Sequence, residues 1–198
     1  MTQSPLEAAQ VDTPWGALRM LATPEDGVVR AAGLDESDRE LRLRLAAPYA
    51  TRGVVEGDLD DAVGAVRAWL AGDHGALASV PVEQPGGEFF QEVWATLRGV
   101  PAGEPVSYQE LAAAAGRPRA MRAVGTACAR NSVAVFIPCH RVIRAGGLLG
   151  SYGFGGVGIK ASMLAFEAGA PSGRLALIEA SATETDPAPA SSMYGDPS

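Results

Sequence analysis

An apolar run, Val133-Ala134-Val135-Phe136-Ile137, ends abruptly at Pro138, and a thiol and an imidazole, Cys139 and His140, follow at once. A short run of this kind, rich in β-branched residues and closed by proline, predicts a buried strand that ends at Pro138. The end of a strand on a rigid scaffold is a place from which side chains can be presented to a cleft. The chain has only two cysteines and two histidines, and one of each stands here.

With 198 residues there is room for one large or two small domains, each with a proper core. No run of about 18 apolar residues occurs, which argues against a membrane span. The first ten residues lack the basic start and apolar stretch of a secretory signal. Two widely spaced cysteines make no disulfide framework, so a reducing cytoplasm is expected. Zinc-type spacings such as C-x-x-C and H-x-x-x-H are absent too, and neither a metal nor another cofactor is expected.

Net charge is −7, which by itself argues against a nucleic-acid partner. Its distribution argues the other way. Residues 111–166 contain no Asp or Glu but do contain Arg117, Arg119, Arg122, Arg130, Arg141, Arg144 and Lys160, so this window is +7 and the remainder −14. A basic surface on an acidic chain is the footprint of a phosphate-backbone partner, although scattered arginines can also be no more than a solvated face.

The first third reads as strands. Residues 15–21 and 28–33 flank a Thr23-Pro24-Glu25-Asp26-Gly27 turn, which predicts a hairpin. Residues 40–45 (Glu-Leu-Arg-Leu-Arg-Leu) alternate strictly and predict a half-buried strand. Leu59, Val63, Val66 and Leu70 share one face of a helix over 59–71, and residues 79–87, with two prolines and two glycines, suit a linker. Beyond it the chain turns helical. Phe90, Val93, Trp94 and Leu97 keep helical spacing, and Ser107-Tyr108-Gln109-Glu110 is a capping box for a helix through Ala115. Gly116 then breaks the chain, and Pro118 suits the first turn of a helix running to about Arg130. Helix, Gly-containing turn, helix is a helix-turn-helix order, though any two neighbouring helices share it.

On that second helix Arg119, Arg122, Thr126 and Ala129 share an outward face, with Ala120, Val124, Ala127 and either Met121 or Cys128 turned inward. A face of arginine and small residues could approach nucleic acid closely or pack against another helix. Cys128, on an apolar helix, reads as a small buried hydrophobe. Cys139 differs, because His140, Arg141 and Arg144 surround it and positive charge lowers a thiol pKa. Neighbours on an extended segment point to opposite faces, so a Cys139–His140 dyad would need a turn or a bridging water.

Residues 88–169 resemble the O6-alkylguanine-DNA alkyltransferase family, which repairs alkylated guanine by direct reversal. The resemblance rests on Val106-Ser107-Tyr108-Gln109-Glu110-Leu111-Ala112, Arg122-Ala123-Val124-Gly125, Arg130-Asn131, Ile137-Pro138-Cys139-His140-Arg141-Val142 and Leu164-Ala165-Phe166-Glu167, in matching order and spacing. Asp12-Thr13-Pro14-Trp15-Gly16 adds a looser match. The resemblance implies an α/β protein with a ribonuclease-H-like strand-and-helix support domain (residues 1–80). A linker (81–87) and a mainly helical, winged helix-turn-helix domain carrying the alkyl acceptor (88–170) would follow. Residues 171–198, small, polar and proline-rich from about Ser181, are expected to be disordered.

The same resemblance implies roles. Cys139 would accept the alkyl group, with His140, through a water, and Glu167 drawing off its proton. Asn131 would brace the turn before the active-site segment. Arg122 would fill the space left by a flipped-out nucleotide, with Arg119, Thr126 and Arg130 on the DNA-facing side. Tyr108 would contact the flipped base and donate a proton as guanine leaves. The pocket would comprise Val142, Tyr152, Gly153 and Phe154, with the carbonyls of Cys139 and Val142 reading the guanine edge and Gly153 or Phe154 offering an amide to the lesion oxygen. The loop after Tyr152 is one residue longer than the family pattern, so which amide does so is open. The implied partner is double-stranded DNA containing O6-alkylguanine, met by a monomer without a membrane. Two other readings compete: a non-catalytic lesion-binding relative, which would lack the acceptor Cys139, and a Cys–His hydrolase, which has no use for Arg122 or the basic window.

Overall fold

A computed structural model of the chain describes residues 4–169; the tail expected to be disordered lies outside them. The described residues form a mixed α/β structure, with a sheet in the first third and mainly helices after it. Strands β1 (Leu6–Thr13), β2 (Gly16–Ala22) and β3 (Val29–Leu34) are antiparallel neighbours, and the short β4 (Val54–Glu56) runs parallel to β1 at the edge. The expected hairpin is β2–β3. β1, unforeseen in the sequence, pairs with β2 through a tight turn at Gly16, whose φ of +120° suits glycine and whose Cβ would collide with the Asp35 carboxylate.

The sheet buries both faces. On one, Leu6, Ala8, Leu21 and Ala31 meet Leu41 and Leu45. Those two leucines do not belong to a strand: residues 38–42 form helix α1 (Asp38–Arg42), followed by the four-residue α2 (Ala47–Ala50). The alternation across 40–45 loses to local capping. Ser37 and Glu40 form a reciprocal capping box, and the i, i+4 pair Leu41 and Leu45 is buried while Leu43 is 81% exposed.

The other face of the sheet packs on α3 (Asp60–Leu70), through Val63, Val66 and Trp69, and this core continues without interruption into the second half. Residues 81–84, inside the expected linker, lie along β3: Val29 N donates to Pro81 O and Glu83 N to Val29 O. Farther along the same strand edge, Ala32 exchanges two backbone hydrogen bonds with Ser132 and Ala134.

Helix α4 (Glu88–Arg98) buries Val93, Trp94 and Leu97, three of the four residues expected on its inner face. β5 (Val106–Ser107) leads into α5 (Tyr108–Ala114), whose Ser107–Glu110 capping box is present as read from sequence. α6 (Met121–Ala129) begins later than Pro118, because Arg117 N returns to Ala112 O and Ala120 N to Arg117 O, which keeps Pro118 in the turn. It buries Val124 and Ala127, with Cys128 half-buried, while Met121 is 49% exposed and so does not face inward. β6 (Val142–Ile143) pairs with β5 in parallel, and α7 (Val157–Ala168) closes the described chain.

The run at 133–137 is buried but is not a strand. After the single bridge at Val133 it coils through turns, with Val135 at φ +70° and Ile137 N bonded to Val133 O. Asn131 makes this possible: its Oδ1 accepts from Val133 N at 3.0 Å and its Nδ2 donates to Ile137 O at 2.8 Å. Side-chain hydrogen bonds thus replace the ladder that buried backbone groups would otherwise need.

Candidate active site

The turn at 133–137 delivers Cys139, His140 and Arg141 into one 3-10 turn, not the end of a strand. The chain turn that a thiol–imidazole pair was expected to need is therefore present, yet no direct hydrogen bond joins Cys139 to His140 among the described residues. Cys139 is 6% exposed, and Asn131 Nδ2 donates to its Sγ at 3.3 Å. Burial pushes the thiol up in pKa, against the opposing pull of Asn131 and the Lys160 ammonium. At neutral pH the resting group is a thiol, so a base is required before it can attack.

His140 is fully buried, with Nε2 3.1 Å from Glu167 Oε1, an ion-pair distance off the line of an ideal hydrogen bond. Its Nδ1 has no protein partner among the described residues. Burial drives the imidazole down in pKa, Glu167 opposing, which leaves it neutral and able to take a proton at pH 7.

Glu167, near the end of α7, is the hub. Arg141 holds it with two charge-assisted hydrogen bonds, Nε to Oε2 at 2.9 Å and Nη2 to Oε1 at 2.7 Å, while its Nη1 donates to Val100 O. Trp69 Nε1 donates to Oε1 at 3.1 Å from the first half of the chain. Burial alone would raise the carboxyl, but His140, whenever it carries a proton, and the permanent charge of Arg141 outweigh it and hold the carboxyl far below the usual carboxylate range. An anion is therefore permanently installed beside a neutral imidazole, ready to stabilise the imidazolium that forms on proton uptake. Trp15, Trp69 and Phe166 pack edge and tilt around this point at centroid separations of 5.2 to 5.4 Å.

Lys160, on α7, is fully buried and donates from Nζ to Val142 O at 2.5 Å; burial lowers it to about 8. Val142 N in turn donates to Cys139 O, so the carbonyls of Cys139 and Val142 are both fixed in place. Tyr152 is buried with its hydroxyl on Met163 Sδ and its ring edge toward His140, 6.4 Å between centroids.

The remaining expected residues lie around this centre in two groups. Tyr108 and Arg122 line an open groove of about 460 Å³ together with Met121, Gly125, Arg144 and Leu148. Burial, with Cys128 and Cys139 nearby, pushes the Tyr108 hydroxyl up to about 12, so it stays protonated and can donate. Gly153, Phe154, Arg130 and Asn131 line a separate cleft of about 380 Å³, where Arg44 lies over the Phe154 ring. Arg119 is exposed but lies in the turn before α6, not on the helix face expected for it, and the exposed Thr126 turns its hydroxyl back to Arg122 O at 3.1 Å. Among the described residues no three His, Cys, Asp or Glu side chains converge as a metal site requires, and no helix is long and apolar enough to cross a membrane.

Sequence reasoning missed three contributors. Arg141 counted only as positive charge near the thiol, Lys160 only toward the charge of the basic window, and Trp69 not at all. Each acts through a tertiary contact, and only the apolar setting of Trp69 on α3 hinted that its ring faced inward.

Residues 88–169 match the family model for the DNA-binding domain of 6-O-methylguanine DNA methyltransferase. Over 164 residues the chain is 34% identical to the methylated-DNA–protein-cysteine methyltransferase of Shigella flexneri, covering 80% of this chain and 93% of that protein. It is 51% identical over 90 residues to the bifunctional transcriptional activator/DNA repair enzyme Ada of Escherichia coli; the match covers 46% of this chain and only 25% of that protein's length. Among solved structures, Mycobacterium tuberculosis OGT in complex with DNA superposes with a TM-score of 0.67 at 31% identity, covering 86% of this chain and 98% of that one.

Proposed function

The chain belongs to the 6-O-methylguanine DNA methyltransferase family, and we propose that it repairs O6-alkylguanine in duplex DNA by moving the alkyl group, once, onto Cys139. The observation that carries this reading is the burial in one region of a thiol, a neutral imidazole and a clamped carboxylate, those of Cys139, His140 and Glu167.

The O6-alkyl carbon lies inside the duplex, so the nucleotide must first swing out, at a cost of a few kcal/mol that an inserted side chain can offset. Arg122, exposed on α6, is placed to fill the vacated stack. Small residues along that helix suit a close approach to the narrower minor groove. The extruded guanine would be read by the free lone pairs on the Cys139 and Val142 carbonyls. A water between Sγ and His140 Nδ1 would carry the thiol proton to the imidazole, with Glu167 balancing the charge. The Sγ–carbon bond forms as the carbon–O6 bond breaks, and the departing guanine takes a proton from Tyr108, which is replenished from the imidazolium. A thioether, unlike a thioester, is not opened by water. Each molecule then reacts once and consumes itself.

Intact mass measured after mixing with duplex DNA containing O6-methylguanine tests this. One added methylene, mapped to Cys139 and absent in Cys139→Ala, is expected. Tight lesion binding with unchanged mass would instead favour a non-catalytic lesion-binding protein.

A further inference from the structure

Only four large hydrophobic residues are strongly exposed among the described residues: Leu43, Val55, Met121 and Leu148. Two of them, Met121 at 49% and Leu148 at 46% exposure, stand on the rim of the same groove, the one that Tyr108 and Arg122 also line. Met121 opens α6 immediately before Arg122, whereas Leu148 comes from the loop that follows β6. In the same lining Gly125 leaves the helix wall bare: a Cβ there would meet nothing within 4 Å. Exposed apolar side chains gathered on one cleft mark a binding surface rather than chance.

Charge identifies the occupant. Arg122 and Arg144 line this groove, both exposed, and neither forms an ion pair among the described residues. The sequence from residue 111 to 166 supplies no carboxylate at all. Apolar side chains framed by unpaired arginines suit a partner that offers phosphates outside and flat apolar faces inside, which is nucleic acid. Proteins that open base stacks from the minor groove commonly press Met or Leu side chains against the step they have unstacked.

We propose that Met121 and Leu148 are apolar wedges on either side of Arg122, covering the faces of the bases that a flipped nucleotide leaves unstacked. This rests on the function proposed above and adds residues that determine how well a lesion inside a duplex is handled. Arg122 would occupy the gap, and Met121 and Leu148 would hold the neighbouring bases apart from it.

The test compares alkyl transfer to Cys139 from O6-methylguanine in duplex DNA with transfer from free O6-benzylguanine. Met121→Ser/Leu148→Ser places a serine at a helix start and another on an exposed loop, both compatible with folding. Its duplex rate is expected to fall on the order of tenfold, and at least about fivefold more than its free-base rate. The conservative Met121→Leu/Leu148→Met should keep the wild-type duplex rate. Because no phosphate contact is removed, the salt dependence of duplex binding should keep its slope. Equal losses on both substrates, a changed salt slope, or a loss in the conservative variant would each overturn the wedge role. A wild-type protein that never places an alkyl group on Cys139 would overturn the proposed function itself, whereas a reactive wild type matched by the serine variant would overturn only the wedges.

Discussion

The turn at 139–141 and the groove between α5, α6 and the 144–148 loop lie close together yet are built on opposite plans. In the turn Arg141 is buried against Glu167, Lys160 against Val142 O and Asn131 against Cys139, and Trp69 reaches Glu167 from the first half of the chain. Along the groove the cations face solvent. Arg122 and Arg144, which line it, form no ion pair among the described residues, whereas away from it Arg117 reaches Glu92 at 3.4 Å and Arg130 leans on the Phe90 ring. A region that performs bond-making must be preorganised before substrate arrives, whereas a region that recognises a polyanion leaves its charges open for it.

The largest effect expected falls on the first plan. His140→Gln removes the proposed base but leaves the thiol in place, and it should slow transfer by about 10²- to 10⁴-fold. The loss should be the same for duplex DNA and free O6-benzylguanine, since both need the thiol deprotonated. A loss confined to duplex DNA would erase the distinction between the two regions.

Next is a stability effect that only a buried charge produces. Lys160 titrates at about 8 in the folded protein because burial disfavours its charge, against 10.5 for an exposed lysine. Between these values the unfolded chain binds more protons, so stability rises with pH through this window and the gain is lost as pH falls through about 8. Relative to Lys160→Met, wild-type protein should gain about 3 kcal/mol in unfolding free energy between pH 7 and pH 11. Urea unfolding at the two ends of that range measures it; a constant difference would mean that the ammonium is solvated.

Smaller, and confined to the groove, is the effect of Arg122→Ala. On the order of tenfold should be lost in duplex repair, far more than with the free base, because only the duplex has a gap to fill. Equal losses on both substrates would refute a base-flipping role for this side chain.

How much of this was readable in advance follows the same division. The hairpin, α4 and the Ser107 capping box come from local signals, a turn sequence, a period and a reciprocal pair, that tertiary packing left alone. Residues 40–45 and 133–137 also carried local signals, and both were misleading. In the first, a second local device, the Ser37 cap, outcompeted alternation. In the second, Asn131 supplied hydrogen bonds that strand pairing would otherwise have had to provide. The groove arginines were legible because an acid-free stretch is visible without any fold. Of the partners of Glu167, His140 came only from the family resemblance, and Arg141 and Trp69 not at all, since they lie 26 and 98 positions away.

Trp69 is the finest probe of the contrast, because it ties the N-terminal sheet region to the reactive turn without touching the groove. Its indole N–H is one of several donors to Glu167 Oε1, while Arg141 still supplies both of its own hydrogen bonds. Trp69→Phe keeps an aromatic ring between Trp15 and Phe166 but loses that donor. A hydrogen bond to a charged acceptor contributes about 1.5–3 kcal/mol to stability, and the smaller ring removes some packing as well. Most of that loss should appear in the unfolding free energy. The carboxylate keeps its Arg141 clamp, so the rate of alkyl transfer should fall only a few-fold, and equally for duplex and free base. A rate loss as large as that of His140→Gln would mean that the indole, rather than Arg141, sets the position of Glu167. A loss seen only with duplex DNA would mean that the first half of the chain reaches the groove by a route other than the reactive turn.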